Sequence, residues 1–409
     1  MTAVNRETMS SPQLICAIYP CDPLDPRRVD DVFSGEWQVA RDLGFETAFV
    51  DVDALDRDPE RSAKGVPVQR EWSPAIYRGW MLSARNYARL CGALVKRKVQ
   101  LINTATEYAH AHHLPESFAA IAEYSPKTVW TDDGASFDPA RVTTLLEPFG
   151  RSPIIVKDYV KSQKHYWKEA CFVPDASDHQ AVERVVRRFI ELQDTSFVGG
   201  LVFREFVKLE PIGTHPKSGL PLTLEYRLFF LNGRLLTASE YWDECAYPSV
   251  TLPHDLFAKI ASGVRSRFFT MDVARTMDGA WIVMELGDGQ VAGLPGKLPP
   301  RTFYEALRAR AAELAIPSRR RLFVVDDVFD VKDRGVILVP GLNEREIDRV
   351  RIGDSIEIRA PDRPAVETTI RGIDSFSPNP KRIFPILIGA SKADAPPGAE
   401  VWTRPPVDN

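Results

Sequence analysis

Two acids in the stretch MDVARTMDGAWIVMELGDGQ (271–290) have the types and spacing of cation ligands: Asp272 and Glu285. Asp278-Gly279 between them reads as a two-residue hairpin turn that needs positive φ at both central positions. With Met277 opposite Ala280, the register sets Asp272 directly across from Glu285 on one side of the hairpin. Met271, Val273, Ile282, Met284 and Leu286 then form the other side, a core face. Like charges placed opposite each other destabilise a sheet. Either water screens an outward pair, or a cation lies between the acids. Hard oxygen ligands that converge on one point suit Mg²⁺, which is held by one or two carboxylates together with substrate phosphates.

Other chemistry-bearing residues stand earlier in the chain. IIVKDYVKSQKHYW delivers Lys157 from an apolar strand, with Lys161 and Lys164 close behind, an arrangement that suits phosphate or simply guards a sheet edge. In LVFREFV, Glu205 interrupts an apolar strand before Phe206 and Val207; it either lines a purine or pairs with Arg204 or Arg227. In LEYRLFFLNGRLLTASE, the Asn232-Gly233 turn sets Arg227 opposite Ala238 and Glu225 opposite Glu240. That is either an ion network or a phosphoryl clamp. IYRGWM puts Arg78 at the C-terminal end of a strand, where open α/β sheets bind ligands, and Arg78 is a candidate for a substrate carboxylate. The loop GQVAGLP, beginning at Gly289-Gln290, is placed to meet an acceptor. His110, His112 and His113 read as a group at a helix C-terminus rather than as metal ligands.

The elements that must position these groups fall into three stretches. Residues 1–124 alternate strand and helix (LICAIYP, ETAFVDVD, PAIYRGW, LIN), the order of an α/β domain with a parallel sheet. Residues 125–316 mix helices with strands in an α+β pattern dominated by hairpins. Residues 317–409 are short strands punctuated by Gly, Pro and Asp, the pattern of a small β-barrel. A chain of 409 residues exceeds one core, and 44% hydrophobic with 26% charged residues is ordinary for a globular protein. The net charge of −4 argues against a general nucleic-acid coat. No apolar run is long enough to span a membrane, and the polar start MTAVNRETMSSPQ is unlike a signal peptide. Five scattered cysteines without CxxC spacing read as reduced thiols of a cytoplasmic protein.

In order along the chain, Lys157, Glu205, Glu225 and Arg227, then Asp272 and Glu285 resemble the ATP-grasp superfamily, which includes the D-alanine–D-alanine and glutathione-type ligases. The resemblance spans about residues 125–315 and implies an ATP-grasp domain preceded by a Rossmann-like pre-ATP-grasp domain. It implies ATP and Mg²⁺ as cofactors, with Lys157 on the phosphates, Glu205 and the Phe206 and Val207 backbone at the adenine, and Glu225 near the ribose. Arg227 would meet the phosphates or an acyl-phosphate, and Asp272 and Glu285 the metal. Lys127 is a candidate for an earlier phosphate lysine. Two departures stand out. No glycine-rich loop follows Lys157, so Lys161, Ser162 and Lys164 would substitute for it. Gly287 replaces an expected asparagine, leaving Asp288 as a candidate third metal ligand. Both departures resemble a divergent bacterial and phage clade in which ELGDGQ and a YRGW-like motif recur.

The C-terminal phrases VFDVKDRG, IGD and PPG resemble domain 2 of translational GTPases such as elongation factor Tu, although no GxxxxGK[ST] loop occurs. That resemblance implies an RNA or protein partner for the barrel. The expectation for the whole chain is an ATP-dependent carboxylate–amine ligase acting through an acyl-phosphate on a small carboxylate and an amine or peptide. The alternative is a nucleotide-binding module whose barrel does the work.

Overall fold

Cys16–Pro20 (β1), Glu46–Val50 (β2), Ser73–Tyr77 (β3) and Val99–Leu101 (β4) pair in the order β2-β1-β3-β4, all parallel. Helices between the strands cover both faces, which is why β1 is buried along its whole length. The helix Ala84–Val95 starts where the Ser83 hydroxyl accepts from the Asn86 N–H. The helix Ala105–His112 starts on a reciprocal Thr104–Glu107 capping box. This computed structural model describes residues 15–314 and 321–403, apart from 133, 217, 218, 220, 333, 348, 349, 351, 362 and 374–382. The chain divides into two compact units, Met1–Leu314 and Ala315–Asn409; the residues about the boundary expected at 316 lie outside the described ones.

Two four-stranded antiparallel sheets and a two-stranded ribbon join the parallel sheet in the first unit. Thr128–Trp130 (β5), Ile154–Lys157 (β6), Phe172–Val173 (β7) and Val202–Glu205 (β8) pair in the order β5-β8-β6-β7. The amphipathic helix His179–Gln193 packs Val182, Val186 and Phe189 onto this sheet. After the small ribbon Pro211–Thr214 (β9) and Pro221–Thr223 (β10) come Glu225–Leu231 (β11), Arg234–Glu240 (β12), Phe268–Arg275 (β13) and Trp281–Asp288 (β14), in the order β12-β11-β13-β14. One core runs from Tyr19 and Ile76 of the parallel sheet to Phe229 and Phe268 of this one, with Phe303 and Tyr304 from the helix Pro300–Ala309. The parallel sheet and the β11–β14 sheet are therefore one packed body.

Both hairpins differ from the sequence reading, and bulges are the reason. Asn232-Gly233 does form the two-residue turn, with φ of +49° and +72°, and Leu231 pairs with Arg234. A bulge between Phe229 and Phe230 then shifts the ladder, so Arg227 faces Ser239, and Glu240 faces Tyr226 instead of Glu225. In the second hairpin the Thr276 N–H donates to Ala280 O, so the loop is Met277-Asp278-Gly279 and not the two residues expected. A bulge at Met284 compensates, and Asp272 still pairs with Glu285. The same bulge changes the core face: Val283 joins Met271, Val273 and Leu286 in the core, in place of Ile282 and Met284.

The second unit is one curled antiparallel sheet. Arg321–Val324 (β15), Asp327–Val331 (β16), Gly335–Leu342 (β17), Ser355–Arg359 (β18), Val366–Ile373 (β19), Phe384–Ile388 (β20) and Glu400–Thr403 (β21) run in the order β15-β21-β18-β19-β20-β17-β16. It curls far enough for β15 to approach β17, and it encloses Val328, Leu338, Ile356, Ile370, Ile386 and Val401. All five cysteines are free. Among the described residues no helix is long and apolar enough to cross a membrane.

Candidate active site

Side chains on β11, β13 and β14 form a charged row, because Arg227 pairs with Asp272 and Asp272 with Glu285 across three neighbouring strands. Arg227 grips Asp272 with both prongs: Nε donates to Oδ1 at 2.8 Å and Nη2 to Oδ2 at 2.7 Å. Its Nη1 donates to Gly293 O at 3.0 Å, and its guanidinium lies over the Tyr241 ring. At the other end of the row Lys157 Nζ lies 3.4 Å from Glu285 Oε2. The like-charge pair that the sequence left uncompensated is thus neutralised by protein cations, Arg227 on one acid and Lys157 on the other.

Burial raises the Asp272 carboxyl pKa, against the pull of Arg227. Burial pushes the same way at Glu285, but Lys157, Lys164, Arg227 and Arg204 together outweigh it and hold that carboxyl below its ordinary range. Burial lowers the Lys157 pKa despite Glu285. For Lys164, burial is outweighed by Glu285, Tyr241 and Glu225, and its pKa rises. Glu225, which accepts from the Thr223 hydroxyl, is pushed up by burial. Three of these charged groups border a cavity of about 140 Å³. Lys157, Arg227 and Glu285 reach it from the strands; His112, Leu114 and Ile121 reach it from the helices Ala105–His112 and Leu114–Ile121.

Glycines are not what shapes the segment after β6. Asp158 is fully buried and accepts from the N–H groups of Val160 (2.7 Å), Lys161 (2.6 Å) and Val198 (3.2 Å) and from Gln193 Nε2 (2.9 Å). An aspartate turn, not glycine, sets the path of this segment. The Lys161 N–H is therefore engaged, and its side chain is exposed. Arg204 is a second residue with a role the sequence did not disclose. It leaves Glu205 alone and donates to Val283 O at 2.8 Å and to Met284 O, while the Ser125 hydroxyl donates to Val283 O at 2.9 Å. These groups hold the carbonyls at the Met284 bulge, which keeps Asp272 and Glu285 in register.

Several sequence candidates sit elsewhere. Arg78 is 2% exposed and each nitrogen of its guanidinium is engaged: Nε and Nη2 on Glu36, Nη1 on the carbonyls of Gly289, Gln290 and Ala292. It ties down the 289–292 loop instead of presenting an open fork to a carboxylate. Gln290 is buried as well, accepting from the Tyr77 N–H and donating to the Tyr87 hydroxyl. Asp288, the candidate third metal ligand, is turned by strand alternation to the face opposite Glu285, where Asn103 Nδ2 and the Gln290 N–H donate to it. Burial lifts its carboxyl to about 7.

Lys127 donates to Pro148 O and lies over the Phe149 ring. The N–H groups of Glu205 and Phe206 donate to Lys127 O and Pro153 O, so neither is open to an adenine. What Phe206 offers is its ring, edge-on to Trp167 and Phe172; Val207 beside it is half-buried. The three histidines do stand at the helix C-terminus, His110 and His112 in its last turn and His113 as its C-cap. Burial depresses His110 to about 4 and His112 to about 3, and His112 turns into the cavity.

Among the described residues no three metal-ligating side chains cluster. Mg²⁺ needs only one or two carboxylates beside phosphates, and two face each other here. The Glu285 side chain is 45% exposed, while Asp272 shares its oxygens with Arg227. That donor set fits a cation that arrives with a nucleotide.

Residues 147–307 match the family model for the ATP-grasp domain of the R-2-K clade, family 3. No curated protein matches the chain. Among solved structures, the D-cycloserine synthetase DcsG is 17% identical at a TM-score of 0.46, over 73% of this chain and 99% of that one. A RimK domain protein ATP-grasp from Sphaerobacter thermophilus is 15% identical at 0.47, over 71% and 98%. The ATP-grasp ligase PsnB, complexed with a precursor variant, Mg and ADP, is 15% identical at 0.45, over 73% and 98%. TM-scores this low carry no assignment. The family match covers the lysine strand, the charged row and both bulged hairpins, so the ATP-grasp likeness of residues 147–307 rests on it.

Proposed function

We propose that the chain is an ATP-dependent carboxylate–amine ligase, with a pre-ATP-grasp domain over 1–124, an ATP-grasp domain over 125–316 and a further β domain over 317–409. The observation that carries this reading is the Arg227–Asp272–Glu285 row, closed by Lys157 and bordering a cavity inside a matched ATP-grasp domain. Asp272 and Glu285 would hold Mg²⁺, which supplies charge neutralisation between the phosphates. A substrate carboxylate oxygen attacks the γ-phosphorus, the bond to the ADP oxygen breaks, and an acyl-phosphate forms. The amine nitrogen then attacks the acyl carbon, inorganic phosphate leaves, and the amine proton passes to solvent. Lys157 and Lys164 position the phosphates, and Arg227, freed in part from Asp272, steadies the charge that builds on the transferred group. Positioning and electrostatics carry such a transfer. The Trp167, Phe172 and Phe206 rings beside Glu205 would flank the adenine.

The test is calorimetric titration of ATP with and without Mg²⁺ into the wild type and Asp272→Asn/Glu285→Gln. Mg²⁺-dependent binding that disappears in the double variant is the expected result. Equal, metal-independent binding to both proteins would remove the metal assignment, and no binding to the wild type would remove the ligase reading.

A further inference from the structure

His112 is the one polar ring that the helices bring to the cavity. It is 7% exposed, its ring lies beside Tyr108 with centroids 5.0 Å apart, and among the described residues it makes no hydrogen bond. Its ring nitrogens are not among the sealed, unpartnered polar atoms, as both of His110 and Nε2 of His113 are, so they are open to a hydrogen bond with what enters the cavity. Lys157 and Arg227 are the cations that line it, Ser117 and Tyr159 bring hydroxyls that already donate to Leu114 O and Thr131 O, and Leu114, Ile121 and Met81 bring apolar surface. A second charge far from Lys157, Arg227 and Glu285 would be buried without compensation. Size sets a further limit. At about 140 Å³, and open to solvent, the cavity has room for a small acid.

Resting on the ligase reading above, we propose that this cavity admits the free acid substrate, a short carboxylic acid of roughly six non-hydrogen atoms bearing a hydroxyl or amino group, and that His112 selects it by hydrogen-bonding that group. The carboxylate lies toward Lys157 and Arg227, the short carbon chain against Leu114 and Ile121, and the substituent at the His112 ring. An acid of the same length without the substituent leaves the imidazole unpaired. A site built around a hydrogen bond discriminates strongly against such an analogue.

The test uses the full chain with MgATP and hydroxylamine, which traps an acyl-phosphate as the hydroxamate, and compares lactate, alanine, propanoate and phenyllactate. Nucleotide binding is followed in parallel by calorimetry. Lactate or alanine should exceed propanoate roughly 10–100-fold in kcat/KM, and whichever wins identifies the substituent. In His112→Leu that ratio should fall below about threefold through the KM for the acid, with the KM for ATP unchanged, and His112→Asn should restore part of it. Ile121→Trp should bind ATP like the wild type and form no hydroxamate. Equal use of propanoate, an unchanged ratio in His112→Leu, a preference for phenyllactate, or no hydroxamate from any acid despite MgATP binding would each overturn the proposal. Should His112→Leu fail to fold, the ratio in His112→Asn and the outcome for Ile121→Trp decide the matter. A wild type that binds no MgATP would instead bring down the ligase reading on which the proposal rests.

Discussion

Arg227 and Asp272 form the most enclosed ion pair of the site, with side chains 16% and 6% exposed. Removing one partner leaves the other charge buried and unpaired, which costs about 3–5 kcal/mol. Arg227→Met should therefore lower unfolding free energy by that order in denaturant titrations, and pairing it with Asp272→Leu should recover much of the loss. An equally large loss in the double variant would mean that the cost is packing and not charge. Glu285 differs because nearly half of its side chain is open. Glu285→Gln should leave the melting temperature within a few degrees while abolishing Mg²⁺-dependent ATP binding. The two acids thus differ in the structure: Asp272 is enclosed with its arginine, and Glu285 is the more open of the pair. The residue types were legible in the sequence, but the arginine's partner was not. A hairpin register relates β13 to β14, whereas Arg227 meets Asp272 across β11 and β13, strands distant in sequence.

At the scale of elements, two features hold the site. The turn after β6 depends on Asp158, which accepts three backbone N–H groups and one amide. Asp158→Ala should orphan these donors at about 1–3 kcal/mol each and weaken ATP binding measurably in the same titration. Asp158→Asn, which keeps one acceptor oxygen, should do less harm. The end of β14 is held by Asp288, where the pH dependence has a definite sign. Burial keeps its proton to about pH 7, well above the ~3.9 of an unfolded aspartate. Its contribution is thus full below about pH 4 and is lost as pH rises toward about 7. Asp288→Asn should flatten that part of the melting-temperature profile, and an unaltered profile would assign the slope to other groups.

For the whole molecule, the cores report two bodies. Every buried cluster of Met1–Leu314 draws on residues of that unit alone, and the curled sheet encloses its own. A chain ending at Leu314 should fold, melt cooperatively and bind MgATP with unchanged affinity. Loss of the near-ultraviolet dichroism of its aromatic core would show that the first unit depends on the second. The partner that the resemblance to translation factors implies for the C-terminal unit rests on the sequence alone.

By itself, the sequence determined what depends on local chemistry. Alternation of strand and helix in the first 124 residues led to a parallel sheet and Asn232-Gly233 to a two-residue turn, while the order of Lys157, Arg227, Asp272 and Glu285 carried a resemblance to ATP-grasp domains. Opposition of Asp272 and Glu285 was also anticipated, yet through a turn one residue too short, corrected by a bulge at Met284 that no local pattern announces. Bulges are settled by what satisfies their freed carbonyls, and here that is Arg204, 80 residues away. Only the tertiary structure decided that Arg78, Gln290 and Asp288 hold the 289–292 loop and that His112 faces the cavity. A sequence shows which groups a side chain carries; whether those groups are already engaged depends on neighbours that only folding brings within hydrogen-bonding distance.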